Sequence, residues 1–314
     1  MREGSKGVLA MALASTIWGF TGYYFKLLDQ ASHWEVLAHR ICWSLLTFLL
    51  IIFLRKKIRE FLLLLFSDTR TTIKFFFGST MITLNWIIFL FAVQNGYATE
   101  ASLGYFIFPL TAVLVGSIFL KEKFTRWQWI ALGIAAIGVG ILTISKGVLP
   151  WIPLSLAITF LAYGLVKKNL TVDPIMSVTT DVLLVAPIAF GFLVYVHWSG
   201  VGEVGAKSVG FFGIDFFHTV MYLFSGLFTA GPLILLTYST SRIKYTEVGL
   251  IQYLNPTLQF LLATLVIGEV VSSATLICFC FIWIALVIYS FEQLRLERDS
   301  RNREIRSGKV LSTE

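Results

Sequence analysis

The chain has 314 residues, a formal net charge of +7 and a mean hydropathy of +0.80, with 57% of its residues hydrophobic. A water-soluble domain is about half apolar and breaks its apolar runs with charge much sooner, which excludes a soluble globular fold. The basic balance does not point to nucleic acid either, because the Lys and Arg gather in alternate connections between long apolar stretches, where loops meet anionic headgroups.

Ten apolar stretches are each long enough to cross a hydrocarbon core, which takes roughly 20 residues. In chain order they are Gly7–Leu27, Glu35–Leu54, Thr72–Val93, Thr99–Leu120 and Trp127–Ile144, then Val148–Val166, Ile175–Tyr195, Phe216–Tyr238, Thr246–Ile267 and Ser273–Phe291. Helices satisfy their own backbone in lipid, whereas barrel strands alternate at period two, and runs such as 45–54 do not alternate. The first stretch lacks a small-x-small cleavage site and reads as a span rather than a removed leader. The segment after Phe291 reads as a charged tail, frayed or disordered. Placing the N-terminus in the cytoplasm puts all 25 Lys and Arg except Lys26, Arg40, Lys146 and Lys207 on the cytoplasmic side, and both termini there.

Ionisable groups inside spans are costly and therefore informative. In the second span Glu35 and His39 share a helical face, and Arg40 lies roughly 8 Å below the outer interface at 1.5 Å per residue. Two readings of Arg40 stay open: a side chain that snorkels outward, or one that faces the bundle to bind a substrate anion or to close an outer gate with Glu35 or Glu100. Lys26, Glu35, His39, Arg40, Gln94, Asn95 and Glu100 all fall at the outer end and are expected to form one polar mouth. Asp181, near the inner end of the seventh span, is an inner-gate partner for Lys167, a proton site, or an interface residue bonded to a neighbouring helix. Uncharged polar and aromatic residues mark the middle of the bundle. Gln252, Asn255 and Gln259 form one stripe beside Pro256; Ser102, Tyr105 and Pro109 are spaced correspondingly. With Trp18, Tyr24, Asn85, Trp86, Tyr163 and Tyr253 they are expected to wall a substrate cavity, the two prolines interrupting their helices. The competing account is helix–helix glue.

An offset of 147 residues aligns Thr99-Glu100-Ala101-Ser102-Leu103 with Thr246-Glu247-Val248-Gly249-Leu250, Pro109 with Pro256, and Glu122 with Glu269. An offset of 141 aligns Lys26 with Lys167 and Arg40 with Asp181 more faintly. Five spans is an odd number, so a second copy lies upside down. The expected architecture is all-α and integral to the membrane: ten helices in two inverted five-helix repeats, 1–146 and 147–294, with a cytoplasmic tail 295–314. Cys42, Cys278 and Cys280 lie within spans as free thiols, and no metal-ligand spacing, Walker motif or GxSxG is present. The chain is thus expected to be neither an enzyme nor metal-dependent, and no filter-like loop suggests a channel.

Particular strings carry a resemblance. They include Ile17-Trp18-Gly19, Glu35-Val36-Leu37-Ala38-His39-Arg40, Asn85-Trp86, Glu100-Ala101-Ser102-Leu103-Gly104-Tyr105-Phe106-Ile107 before Pro109, Tyr163-Gly164-Leu165-Val166-Lys167-Lys168, and Gln252-Tyr253 before Pro256. With the ten spans they resemble RarD-like permeases of the EamA-type drug/metabolite transporter family, over roughly residues 7–291. The resemblance implies a bacterial inner-membrane permease, secondary-active or facilitative, without a cofactor, whose relatives carry a chloramphenicol-sensitivity label that names a phenotype. Where the family pattern has Asn before the mid-span Pro, this chain has Phe108. The expected partners are a small organic solute and membrane lipid, with no nucleic acid, in a monomer or homodimer. The alternative is a non-transporting membrane receptor or accessory subunit.

Overall fold

Segments apolar on most faces leave the helix as the backbone's way to satisfy itself without water, and helices are what these residues form. The computed structural model describes residues 3–65, 68–119, 125–168, 170, 172–204 and 207–306. In the first half run α1 (Glu3–Lys26), α2 (His33–Leu54), the short α3 (Ile58–Leu65), α4 (Thr69–Gln94), α5 (Ala98–Phe119) and α6 (Arg126–Lys146). In the second run α7 (Trp151–Lys168), α8 (Pro174–Ser199), α9 (Phe216–Thr240), α10 (Tyr245–Gln252), α11 (Leu254–Leu261) and α12 (Ser273–Arg306). Among the described residues, α1, α2, α4, α6, α8, α9 and α12 are long and apolar enough to cross a membrane, and α7 is a shorter apolar helix. Outward faces carry exposed Phe53, Leu54, Phe76, Ile188, Phe190 and Leu265. Lipid, not water, is the solvent for such a surface.

The elements depart from the predicted reading in several places. The ninth stretch is not one helix: α10 ends at Gln252, Tyr253 forms a turn, α11 follows, and a π-helical turn closes it at Leu262–Val266. Pro256, in the first turn of α11, has no N–H to return to the carbonyl of Gln252. Pro109 by contrast leaves α5 continuous from Ala98 to Phe119, so it does not break its helix. The tail is helical through Arg306 rather than frayed, α12 running on from its span. A basic connection holds α3, whose one buried side chain is Phe61, and the connection from α8 to α9 holds a small antiparallel hairpin, β1 (Glu203–Val204) with β2 (Lys207–Ser208).

The helices interleave. α2 packs on α8 and α9, α1 on α9, α10 and α11, α4 on α7 and α8, α5 on α7 and α11, and α6 on α12. One apolar core gathers Phe25, Phe48, Leu90 and Tyr222; another gathers Leu103, Leu110, Phe279 and Ile282. Where α9 meets α2, a Cβ on Gly226 would stand 2.5 Å from the carbonyl oxygen of Trp43, so only glycine lets the two backbones approach this closely.

Candidate functional site

A cavity of about 660 Å³ lies among the helices and draws its walls from both cores. That volume suits a drug-sized solute. Trp18, Asn85, Trp86, Tyr105 and Tyr163 line it, as do Gln252, Tyr253, Asn255, Pro109 and Pro256. Some of these polar groups are already engaged. Asn85 donates to the carbonyl of Leu156 at 2.9 Å and to Thr159 Oγ1 at 3.0 Å, and accepts from Tyr105 Oη at 3.2 Å. It ties α4 to α7 and α5 while presenting its edge to the cavity. Gln259 donates to Asn255 Oδ1 at 2.9 Å and to the carbonyl of Trp18 at 3.4 Å, and among the described residues its buried Oε1 has no partner.

Arg40 lines this cavity, and 7% of it is exposed. Its Nε donates to Thr229 Oγ1 at 3.1 Å, and its Cζ stands 4.4 Å from the ring centre of Trp86 and 5.2 Å from that of Phe25. Among the described residues its Nη1 has no partner. The guanidinium neither snorkels outward nor pairs with Glu35 or Glu100.

Residues 5–144 match the EamA-like transporter family. An uncharacterized transporter, YojE of Bacillus subtilis, is 37% identical over 304 residues, covering 96% of this chain and 98% of that protein. Protein RarD of Salmonella typhi is 33% identical, covering 95% and 98%. This chain belongs to the EamA-like transporter family. It is RarD-like along nearly its whole length and is a multi-pass bacterial membrane protein. A crystal structure with TM-score 0.56 and 15% identity, covering 90% of this chain and 96% of the other, shares the fold.

Within this EamA-family bundle two expected cavity residues lie elsewhere. Tyr24 stacks on Phe228 at 4.1 Å and donates to the carbonyl of Met221, so it joins α1 to α9. Ser102 is fully buried and returns its hydroxyl to the carbonyl of Thr99. Both are polar residues inside spans, and only their tertiary neighbours distinguish them from wall residues. The walls also take in α12, through Tyr289, Ser290 and Gln293, and Thr229 of α9.

The single polar mouth does not form, because its members are held separately. Lys26 pairs with Asp29 at 3.0 Å, and Lys146 pairs with Glu100. Glu35, fully buried, accepts from the backbone N–H of Gly210 at 2.9 Å and of Phe211 at 3.2 Å. His39 stacks on Tyr222 at 4.2 Å, with its Nε2 3.8 Å from Glu35 Oε1. Gln94 donates to the carbonyl of Leu28 at 3.0 Å, and Asn95 to that of Phe91 at 2.7 Å. Glu269 accepts from the N–H groups of Ala98 and Thr99 at 2.7 and 2.8 Å. Its sequence counterpart Glu122 lies outside the described residues. Asp181 does meet Lys167, at 2.7 Å, and also accepts from Tyr163 at 3.0 Å and Ser79 at 3.4 Å.

Proposed function

We propose that this protein is a secondary-active or facilitative transporter that carries a small organic solute across the bacterial inner membrane by alternating access, with both termini cytoplasmic. The observation that carries the reading is a cavity of about 660 Å³ within the bundle, with contacts between the two halves of the chain gathered to one side of it. The lining includes Gly249 and Leu250 of α10 and, on α12, Ser290 and Gln293, where the apolar span gives way to the charged tail. On the far side, four contacts join the two halves of the chain. These are Glu35 with 210–211, Glu269 with 98–99, Lys207 with the carbonyl of Asp29, and Ser32 N–H with the carbonyl of Ser208. With the basic loops inside, the side of these four contacts is external and the other side cytoplasmic.

Two regularities support inverted repeats over 1–146 and 147–294. α4, α5 and α6 begin at Thr69, Ala98 and Arg126; α9, α10 and α12 begin at Phe216, Tyr245 and Ser273, each 147 residues later. The packing partners also exchange as a twofold axis requires: α1 on α9 and α11 mirrors α7 on α4 and α5, and α2 on α9 mirrors α8 on α4. Two like halves in opposite orientation give inward-open and outward-open states of similar energy, which is the physical basis of alternating access.

The test is a single Cys at Asn255 in a protein whose Cys42, Cys278 and Cys280 are replaced by Ala. An impermeant maleimide should label it readily from the cytoplasmic face of inverted vesicles and more slowly from outside, with a transported solute changing the ratio. Labelling from one face alone, unmoved by any solute, overturns transport and fits a receptor or accessory subunit.

A further inference from the structure

We propose that the cargo is an organic anion whose carboxylate is held by Arg40 in the central cavity. The inference rests on the transporter reading and narrows it to one substrate class. Burying a guanidinium without a counter-charge is costly, more so inside a membrane. A purely structural buried Arg is expected to have a carboxylate beside it. Three carboxylates of the bundle interior are engaged elsewhere: Glu35 with the N–H groups of Gly210 and Phe211, Glu100 with Lys146, and Asp181 with Lys167. What holds Arg40 instead is the hydroxyl of Thr229 and the faces of Trp86 and Phe25. These aim the group and offset part of its desolvation without neutralising it.

The remaining geometry fits a carboxylate. Nε is committed to Thr229, and Nη1 is buried and has no partner among the described residues, so the Nη edge is an unsatisfied pair of donors that two carboxylate oxygens would satisfy in a planar arrangement once the side chain turns to meet them. Among the described residues that line the cavity, Arg40 is the one charged side chain. A cation would meet a like charge in a medium that screens it poorly. A zwitterion would bring an ammonium to a wall with no carboxylate, and a dianionic phosphate would keep one charge uncompensated. The body of the cargo is apolar or aromatic, since Trp18, Phe89, Phe108 and Phe160 supply much of the wall. The buried Oε1 of Gln259 accepts one N–H or O–H from it.

The experiment uses the full chain in nanodiscs and three matched pairs of neutral amide and carboxylate: benzamide and benzoate, 3-phenylpropanamide and 3-phenylpropanoate, indole-3-acetamide and indole-3-acetate. Binding is read by quenching of tryptophan fluorescence, with 3-phenylpropylamine as the cationic probe. At least one carboxylate should bind about tenfold or more tightly than its amide, and the amine should bind no better than the amide. Arg40→Gln should erase the preference for carboxylate while leaving amide binding in place. Thr229→Val, which frees the guanidinium without removing it, should weaken the carboxylate severalfold and serves if Arg40→Gln does not fold. Amides or the amine binding as well as the carboxylates, carboxylate preference surviving in both variants, or no carboxylate binding at all would each overturn the inference. The transporter reading stands or falls separately, on the two-sided labelling of the Cys at 255.

Discussion

Asp181 and Lys167 form the buried ion pair of this bundle, with side chains 1% and 17% exposed. Removing one partner strands the other in a medium of low polarity, and breaking such a pair costs about 3–5 kcal/mol in buried protein sites. Asp181→Asn should therefore lower the midpoint of denaturant-induced unfolding in mixed micelles by more than the double variant Asp181→Asn with Lys167→Met. A double variant no more stable than the single one would show the pair is not coupled. Residues of this kind are legible in sequence because a charge within a span is rare and costly, which is how Arg40 and Asp181 stand out. Thr229 is not legible. Threonines in membrane helices routinely return their hydroxyls to the preceding turn, as Thr179 and Thr180 do here, and Thr229 differs only in receiving Arg40. Tyr24 and Ser102 carry the same kind of sequence signal as Tyr105, which lines the cavity. What separates them is the direction each side chain takes across a helix interface, which one sequence does not contain.

Whole helices follow from apolar length, and the ends of α1, α2, α8 and α9 fall close to the ends of the apolar runs. α3 and the helical tail escape that signal because they are short or charged, and the hairpin 203–208 because two-residue strands have no period to read. Contact between elements depends instead on small residues. Gly226→Val should cost about 1–3 kcal/mol of stability through overpacking against Trp43. Gly231→Ala, on the same helix with open space around it, should be neutral by thermal unfolding. Helix starts on α4 and α9 carry a pH dependence. Asp68 caps α4 and is held below the usual carboxylate range by the Thr71 hydroxyl and N–H; Asp215 caps α9 and is held low by the N–H and ring of His218. A depressed native value means the cap stabilises above the unfolded value, about pH 4, and is lost as pH falls through the lower native one. Hydrogen exchange in the first turns of α4 and α9 should accelerate over that acid window, and Asn at each position should remove the acceleration there.

At the scale of the whole molecule, on the proposed transporter reading, the contacts that join the two halves decide which way the cavity opens. Among them the Glu269 carboxylate takes two backbone N–H groups at the start of α5, where the helix dipole also favours negative charge. On the other side the halves meet through the hydrogen bond of Ser79 to Asp181 and the exposed ion pair of Glu3 with Arg242, which is weak. If the inward-open and outward-open states are close in energy, loosening this contact transfers population between them rather than unfolding the protein. Glu269→Gln keeps one acceptor oxygen and removes the charge. External labelling of a Cys at Asn255 should then rise on the order of tenfold, the change that about 1.4 kcal/mol brings to a two-state equilibrium, and cytoplasmic labelling should fall. Glu269→Ala should move the ratio further in the same direction. Glu100→Gln, whose partner Lys146 lies in the same half, should leave the ratio where it is. Equal shifts from Glu100→Gln and Glu269→Gln would mean that the external face responds to any loss of charge, and that Glu269 is not its latch.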